Sequence, residues 1–214
     1  RIGQTIICQA MTRVPAVTMS GPTKGENTRQ LVLEVAVRLF GSNGYQATSV
    51  AQIAREAKLV RSAPFAYFET KEDLFLASLD HDAAAAIREC LPAVFDQPDD
   101  AEWQVGLAMA MLAALERHPL AQRVLAGLEP NVTGRVFGLP ALVELRDAVA
   151  ARLLADQKTG EVRPDIDVGA VARGLVTMQL AVLMAMIQLG PETIDGAILA
   201  DLDAVVAAAL KSST

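Results

Sequence analysis

The apolar residues of this chain recur every three to four positions, and no stretch alternates between apolar and polar residues as a half-buried strand does. Ala, Leu and Val dominate the composition and β-branched runs are scarce, which favours helices. Gly, Pro and capping residues divide the pattern into successive segments. The sequence therefore predicts an all-α protein.

These residues delimit the predicted helices. They cover residues 28–42, 49–57, a short element that begins at 62–64 and ends near 68, 70–90, 100–117, 120–128, 141–157, 168–189 and 195–210. Three capping patterns mark helix starts, in which Asn27 pairs with Gln30, Ser49 with Gln52 and Thr70 with Asp73. Gly44 supplies a left-handed stop after the first helix.

The second and third helices are separated by a turn of only three residues, 58–60, and the first helix packs behind them. Two helices joined by so short a turn form the unit that inserts its second helix into the major groove of DNA. The sequence therefore predicts an N-terminal helix-turn-helix unit.

Pro64 decides where the short third helix begins. A start capped by Val60 places Pro64 at the fourth helical position, where its missing N–H removes a hydrogen bond at a cost of ~3 kcal/mol. With Ser62 as the cap, or with Ala63 extended, Pro64 occupies the second or first position, where no N–H is needed. We therefore expect Arg61 to lie in the turn.

The run TRQLVLEVAVRLFGSNGYQATSVAQIAREAKLVRSAPFAYFETKEDLF, residues 28–75, resembles the N-terminal domain of the TetR family of transcriptional regulators. The remaining helices are similar to that family only in their number, in the character of their loops and in the segment GEVRPDID. The resemblance implies a DNA-binding domain at 24–74 and a larger helical ligand-binding and dimerisation domain at 75–214. Residues 1–23 are predicted to be a disordered extension.

Candidate DNA contacts lie in and around the helix-turn-helix unit. Arg61 and Ser62 are predicted to reach base edges, and Lys71, at a helix start where a cation is disfavoured, is predicted to share a phosphate with that terminus. Ser49 has an alternative role as a cap, and Tyr67 a role in packing. The full set is Arg29, Thr48, Ser49, Arg61, Ser62, Phe65, Tyr67 and Lys71.

Departures from the family pattern cluster at the turn and the third helix. A usual Gly is Lys58, a usual Ser cap is Val60, an aliphatic position is Pro64, a usual tyrosine is Phe65, and a common polar position is Ala66. Two functions therefore stay open. One is a ligand-responsive repressor released from a palindromic double-stranded DNA operator, and the alternative is a small-molecule-binding or scaffold dimer with a degenerate DNA reader.

The net negative charge lies in the C-terminal part, because residues 75–214 have a net charge of −9 and residues 1–74 a net charge of +3, which together give −6. The segment 168–189 is apolar nearly all round, so a homodimer through 168–189 and 195–210 is expected. The resemblance implies a cavity among the middle helices, which we expect to take a small, uncharged and mostly apolar effector. The candidate pocket residues are Phe95, Trp103, Met109, Phe137, Met178 and Gln179.

Several classes of protein lack support in the sequence. The two histidines have no cysteine companions at metal-ligand spacing, and no catalytic triad, Cys/His or carboxylate pair stands at convincing spacing, so no metal, cofactor or enzyme activity is expected. A disulfide between Cys8 and Cys90 is not expected. The apolar run 175–189 is shorter than the ~20 residues of a membrane span, and residues 1–23 show no secretory signal, so the expected location is the cytoplasm.

Overall fold

The computed structural model describes residues 23–95 and 103–211, and within them every regular element is a helix. The α-helices are α1 Lys24–Ala47, α2 Val50–Glu56, α3 Lys71–Cys90, α4 Pro92–Phe95, α5 Trp103–Leu115, α6 Pro119–Leu125, α7 Pro130–Thr133, α8 Ala141–Thr159, α9 Val168–Leu189 and α10 Gly196–Leu210. Short 3₁₀ helices are formed by Ala63–Ala66, Val136–Gly138 and Pro191–Thr193. The all-α prediction is confirmed.

Capping explains where the N-terminal helices begin. The Thr70 hydroxyl accepts from the Asp73 N–H at 3.0 Å and the Asp73 carboxylate accepts from the Thr70 N–H at 3.0 Å, as predicted. The first helix begins four residues earlier than expected, because Thr23 and Glu26 form the same reciprocal box and take over the role predicted for Asn27. The extension predicted at residues 1–23 otherwise lies outside the described residues.

Gly44 breaks α1 near its end, as the sequence predicts. Its φ of 83° lies in the left-handed region, so the last residues of α1 turn away from the helix axis. Gly44 is also buried, and a Cβ there would lie 2.7 Å from a carboxylate oxygen of Glu129 in the C-terminal part of the chain. The turn after α1 therefore meets the larger helical body directly.

One continuous hydrophobic core links the two parts of the chain. Helix α3 packs against α1 on one side and against α5 and α8 on the other, while α6 packs against α1. The predicted boundary at 74/75 falls inside α3, which belongs structurally to both parts. Both α3 and α6 therefore contact the helix-turn-helix unit directly.

Helix α9 spans 22 residues and is longer than the apolar run identified in the sequence. With 22 residues and a mean hydropathy of 1.8, it is long and apolar enough to cross a membrane, judged by length and composition only. It nonetheless buries Ala172, Val176, Leu180 and Leu183 in the core. Helix α10 buries only Leu210 and exposes several large apolar side chains, Ile198, Leu199 and Val205.

Candidate DNA-binding surface and ligand cavities

The element in the position of a recognition helix is a single 3₁₀ turn, Ala63–Ala66. Pro64 stands at its second position behind Ser62, and the Pro64 carbonyl accepts from the N–H groups of Tyr67 and Phe68, both at 3.0 Å. The predicted start is confirmed. The element ends two residues earlier than expected and is 3₁₀ in character, and Ser62 makes no side-chain capping bond.

Lys58 has a φ of 56°, the left-handed conformation that a side chain with a Cβ disfavours. Its N–H donates to the Arg55 carbonyl at 3.1 Å, and the next N–H, that of Leu59, donates to the Ala54 carbonyl at 2.9 Å. These bonds close α2 as a glycine would. The turn of the helix-turn-helix unit thus keeps its shape without the glycine that the family pattern has there.

Most of the predicted DNA-contact residues are exposed around this turn, namely Arg29, Ser49, Arg61, Ser62 and Phe65. Arg61 lies in the turn, as predicted, and Phe65 is 54% exposed, unusual for an aromatic side chain. The Ser49 hydroxyl accepts from the Gln52 N–H at 3.1 Å and so caps α2. In the described part of the chain, none of Lys24, Arg29, Arg55, Lys58, Arg61 and Lys71 forms an ion pair.

Thr48 is buried, and its hydroxyl donates to the Leu39 carbonyl at 3.2 Å. The predicted phosphate contact of this side chain is therefore corrected. This bond ties the residue after α1 back to the interior of that helix. Thr48 positions the start of α2 from inside the protein.

Tyr67 and Lys71 are half-buried and each has an intramolecular neighbour. The Tyr67 hydroxyl lies close to the start of α1, 3.8 Å from the point a Cβ on Gly25 would occupy. The Lys71 ammonium lies 4.3 Å from the ring centroid of Tyr45, a cation–π contact. Burial lowers the pKa of Lys71, and the nearby Glu129 carboxylate opposes this shift.

Two contacts that the sequence did not reveal connect the helix-turn-helix unit to the larger body. The buried Glu129 carboxylate accepts from the backbone N–H of Tyr45 at 2.9 Å and from the Arg123 guanidinium at 2.8 Å. Helix α1 also approaches the start of α6 so closely that a Cβ on Gly41 would lie 2.8 Å from Pro119. A lone glutamate in a Gly/Pro-rich loop gives no sequence signal for this role.

A buried polar cluster fixes the start of α6 to α3. The Asp82 carboxylate accepts from the N–H groups of Leu120 and Ala121, at 3.0 and 2.9 Å, and lies 2.9 Å from Nδ1 of His118. The other ring nitrogen of His118 lies 3.2 Å from Glu89, whose pKa is lowered by hydrogen bonds from Arg117 and His118. Asp82 thereby caps α6 from a neighbouring helix.

Helices α3, α5, α6, α8 and α9 enclose an apolar cavity of about 60 Å³. Its wall contains Leu79, Cys90, Met111, Val124, Leu142 and Leu183 among others, and none of the six predicted pocket residues. Burial raises the pKa of the Cys90 thiol to about 11, so at neutral pH it contributes an uncharged surface. We call this space the inner cavity.

A second space, here called the outer groove, lies between α5, α9 and α10 and has a volume of about 220 Å³. Met109, Met178 and Gln179, three of the predicted pocket residues, line it. Trp103 is buried beside it in a small cavity of about 30 Å³ that also touches Met178 and Gln179. Leu183 lines both the inner cavity and the outer groove.

Phe95 and Phe137, the other two predicted pocket residues, line none of these three spaces. Both are exposed and lie in short helical segments, Phe95 in α4 and Phe137 in the 3₁₀ helix Val136–Gly138. The backbone carbonyl of Phe137 accepts from Arg146 at 2.8 Å. Within residues 23–95 and 103–211, no cluster of three or more His, Cys, Asp or Glu side chains is arranged to hold a metal ion.

An N-terminal helix-turn-helix unit on a larger helical body with apolar cavities defines the class of two-part helix-turn-helix regulators. The family model described as bacterial regulatory proteins, tetR family, matches residues 32–78. A transcriptional repressor of Corynebacterium diphtheriae named AcnR is 30% identical over 155 residues, which cover 70% of this chain and 76% of that protein. The chain belongs to the TetR family.

Two other proteins show how far the similarity to this chain extends. The uncharacterized regulator YuxN of Bacillus subtilis is 42% identical over 52 residues, but these cover 24% of this chain and the chain spans only 18% of the length of YuxN. A crystal structure of a TetR-family regulator from Pectobacterium atrosepticum superposes with a TM-score of 0.67 at 21% identity, covering 91% of this chain and all of that one. The latter likeness concerns the fold alone.

Proposed function

We propose that this protein is a dimeric, ligand-responsive regulator that binds a palindromic operator in double-stranded DNA. The observation that carries the proposal is the set of basic side chains around the helix-turn-helix unit that form no ion pair in the described structure, on a chain whose net charge is −6. Basic side chains without an acidic partner at ion-pair distance are suited to neutralise phosphates. The cytoplasm, where such DNA lies, is the proposed location.

Two kinds of contact make up the proposed DNA-binding surface. Arg61, Ser62 and Phe65, exposed in and beside the 3₁₀ turn, contact base edges, the ring of Phe65 being suited to a thymine methyl group. Phosphates bind to a flanking set, namely Arg29, Ser49, Tyr67 and Lys71. This division agrees with the general rule that phosphate contacts position a protein while base contacts specify the site.

The proposed dimer forms through α9 and α10. The face of α9 turned away from the core carries small exposed residues, Ala170, Gly174, Thr177 and Ala181. Small side chains let two helices approach closely, and the exposed Ile198 and Val205 of α10 extend the apolar surface. Covering these helices in an intersubunit four-helix bundle removes this apolar area from water.

The proposed effector is a small, mostly apolar molecule whose binding moves α6. Helix α6 lines the inner cavity through Ala121, Val124 and Leu125, and it begins at Pro119 against Gly41 of α1. An effector releases DNA only if it binds the DNA-incompetent form more tightly. Reversing a 99:1 population takes about 5.5 kcal/mol of differential affinity, shared here between two subunits. The name of the C. diphtheriae relative supports a repressor.

One observation favours the second candidate function, a ligand-binding or scaffold dimer that no longer reads DNA. The element between the turn and α3 is a 3₁₀ helix of four residues, much shorter than a helix that fills a major groove. It also carries Phe65 where the family pattern has a tyrosine hydroxyl. A dimer of this kind binds an effector and has no preference among DNA sequences.

Fluorescence anisotropy separates the two functions. The titration compares the duplex upstream of the protein's own gene with a duplex of the same length and shuffled sequence, at one stated salt concentration. A DNA-reading regulator binds the first duplex at least about 10³-fold more tightly than the second. Equal affinity for both duplexes contradicts the regulator and supports the second function.

A further inference from the structure

The outer groove combines an apolar lining with three polar side chains, one from each of its helices. Gln104 belongs to α5, Gln179 to α9 and Asp203 to α10. The rest of the lining is apolar and consists of Val105, Ala108, Met109, Leu112, Met178, Val182, Leu183, Met186, Leu199, Leu202 and Val206. An apolar concavity with a few convergent polar groups is the usual form of a small-molecule site.

These polar groups have no protein partners among residues 23–95 and 103–211. Neither glutamine side chain makes a hydrogen bond there, and Asp203 makes no ion pair. The lining contains one carboxylate and no Lys, Arg or His. A groove whose polar lining is one carboxylate and two neutral amides favours a cationic group and disfavours an anion.

Three methionines form part of the surface that would contact the apolar part of a ligand. Met109, Met178 and Met186 come from two of the three helices and are unbranched and polarizable, so they adapt to chains or rings of different shape. Leu183 separates this groove from the inner cavity, which offers further apolar surface and no charged group. The site thus suits a molecule with a hydrocarbon body and one polar head.

We infer that the outer groove binds a cationic amphiphile, whose ammonium group donates to Asp203, Gln104 and Gln179 and whose hydrocarbon part lies on the methionines. This inference rests on the proposed function and modifies it, because it gives the mostly apolar effector a cationic head group and places it in the outer groove, which shares Leu183 with the inner cavity. The proposed dimer face and the groove use different residues of α9. Residues 178, 182 and 186 of α9 line the groove, whereas Thr177 and Ala181 lie on the exposed face.

The chain contains a single tryptophan, Trp103, which is next to Gln104 and buried beside the groove. Its fluorescence therefore reports occupancy when the full-length protein is titrated with n-decylamine, 1-decanol or decanoate below their aggregation concentrations. We expect n-decylamine to bind most tightly and decanoate at least about tenfold more weakly, because Asp203 attracts the first head group and repels the second. Absence of n-decylamine binding, or tighter binding of decanoate, overturns the inference.

Asp203→Asn provides the residue-level test, with Asp201→Asn as its control on the same exposed helix, since Asp201 does not line the groove. Asp203→Asn is expected to weaken n-decylamine binding about fivefold and to leave 1-decanol unchanged. Asp201→Asn is expected to match the wild type. Equal behaviour of the two variants contradicts the site.

The same titrations distinguish this inference from the proposed function. If n-decylamine binds through Asp203 but leaves operator affinity unchanged, the site stands and the effector role fails. If operator DNA is bound specifically while none of the three probes is bound, the regulator stands and the inferred site fails.

Discussion

The carboxylate of Glu129 accepts a hydrogen bond of 2.9 Å from the backbone N–H of Tyr45, and this bond joins the larger helical body to the turn that ends α1. The same carboxylate binds Arg123 of α6 at 2.8 Å. A helix that lines the inner cavity is thereby connected, through one buried side chain, to the helix-turn-helix unit. This connection is the structural basis for expecting ligand and DNA binding to influence each other.

Removing the Glu129 carboxylate tests this connection. Glu129→Ala leaves the Tyr45 N–H and the partly buried Arg123 without their acceptor, which costs about 2 kcal/mol or more of unfolding free energy. Glu129→Gln keeps one acceptor oxygen and is expected to lose less. Urea denaturation of both variants measures the difference, and equal stability of Glu129→Ala and the wild type contradicts the contact.

Lys58 offers a stabilising substitution. Because its φ of 56° is unfavourable for a side chain with a Cβ, Lys58→Gly is expected to raise the unfolding free energy by about 0.5–1 kcal/mol. Lys58→Ala removes the same charge without relieving the backbone and serves as the control. If the two variants are equally stable, the left-handed conformation costs nothing.

The Cys90 thiol gives the protein a defined response to alkaline pH. Its pKa is raised from 9.0 to about 11 by burial, so the thiol is neutral in the folded and unfolded chain below about pH 9 and affects stability little there. Between about pH 9 and pH 11 the unfolded chain loses this proton while the folded chain keeps it, so stability falls as pH rises.

Comparing Cys90→Ala with the wild type by urea denaturation isolates this contribution. The stability of the wild type should fall more steeply in the alkaline range, by about 1 kcal/mol per pH unit. Cys90→Ala should be less stable at neutral pH, because its truncation enlarges the inner cavity. Parallel pH profiles of the two proteins are the result that excludes a buried, neutral thiol.

The exposed face of α9 is part of the proposed dimer interface. Ala181→Arg introduces a charge into this face and is expected to give a monomer in sedimentation velocity at micromolar concentration, with helicity unchanged. Ala113→Arg makes the same change at an exposed position of α5 and should leave a dimer. A wild-type protein that sediments as a monomer is incompatible with the proposal.

The sequence predicted the elements with local causes. The Thr70–Asp73 box, the left-handed Gly44 and the start of the 3₁₀ turn at Pro64 each depend on neighbours within a few positions, and each was found where expected. The early start of α1 was missed because the Asn27 pattern is as plausible locally as the box of Thr23 and Glu26.

Contacts between distant segments were not predictable in this way. Thr48 stands directly before the serine that caps α2, a position from which a side chain could reach DNA. Only the packing of α1 on α2 shows that its hydroxyl is buried. The bond from Tyr45 to Glu129 joins residues 84 positions apart. The pocket residues stay predictions: Met178, on a long apolar helix, lines the outer groove, whereas Phe95 and Phe137, on short segments, line none of the three spaces described above.

The salt dependence of operator affinity shows whether the surface around the helix-turn-helix unit binds DNA. Lys71→Ala is compared with the wild type and with Arg88→Ala, which removes an exposed cation at the far end of the same helix α3. Lys71→Ala is expected to weaken binding to all duplexes alike and to reduce the slope of log affinity against log salt by about one unit. Arg88→Ala should retain the wild-type slope. If Lys71→Ala keeps the wild-type affinity and slope, the phosphate contact is absent and this account of the DNA-binding surface is contradicted.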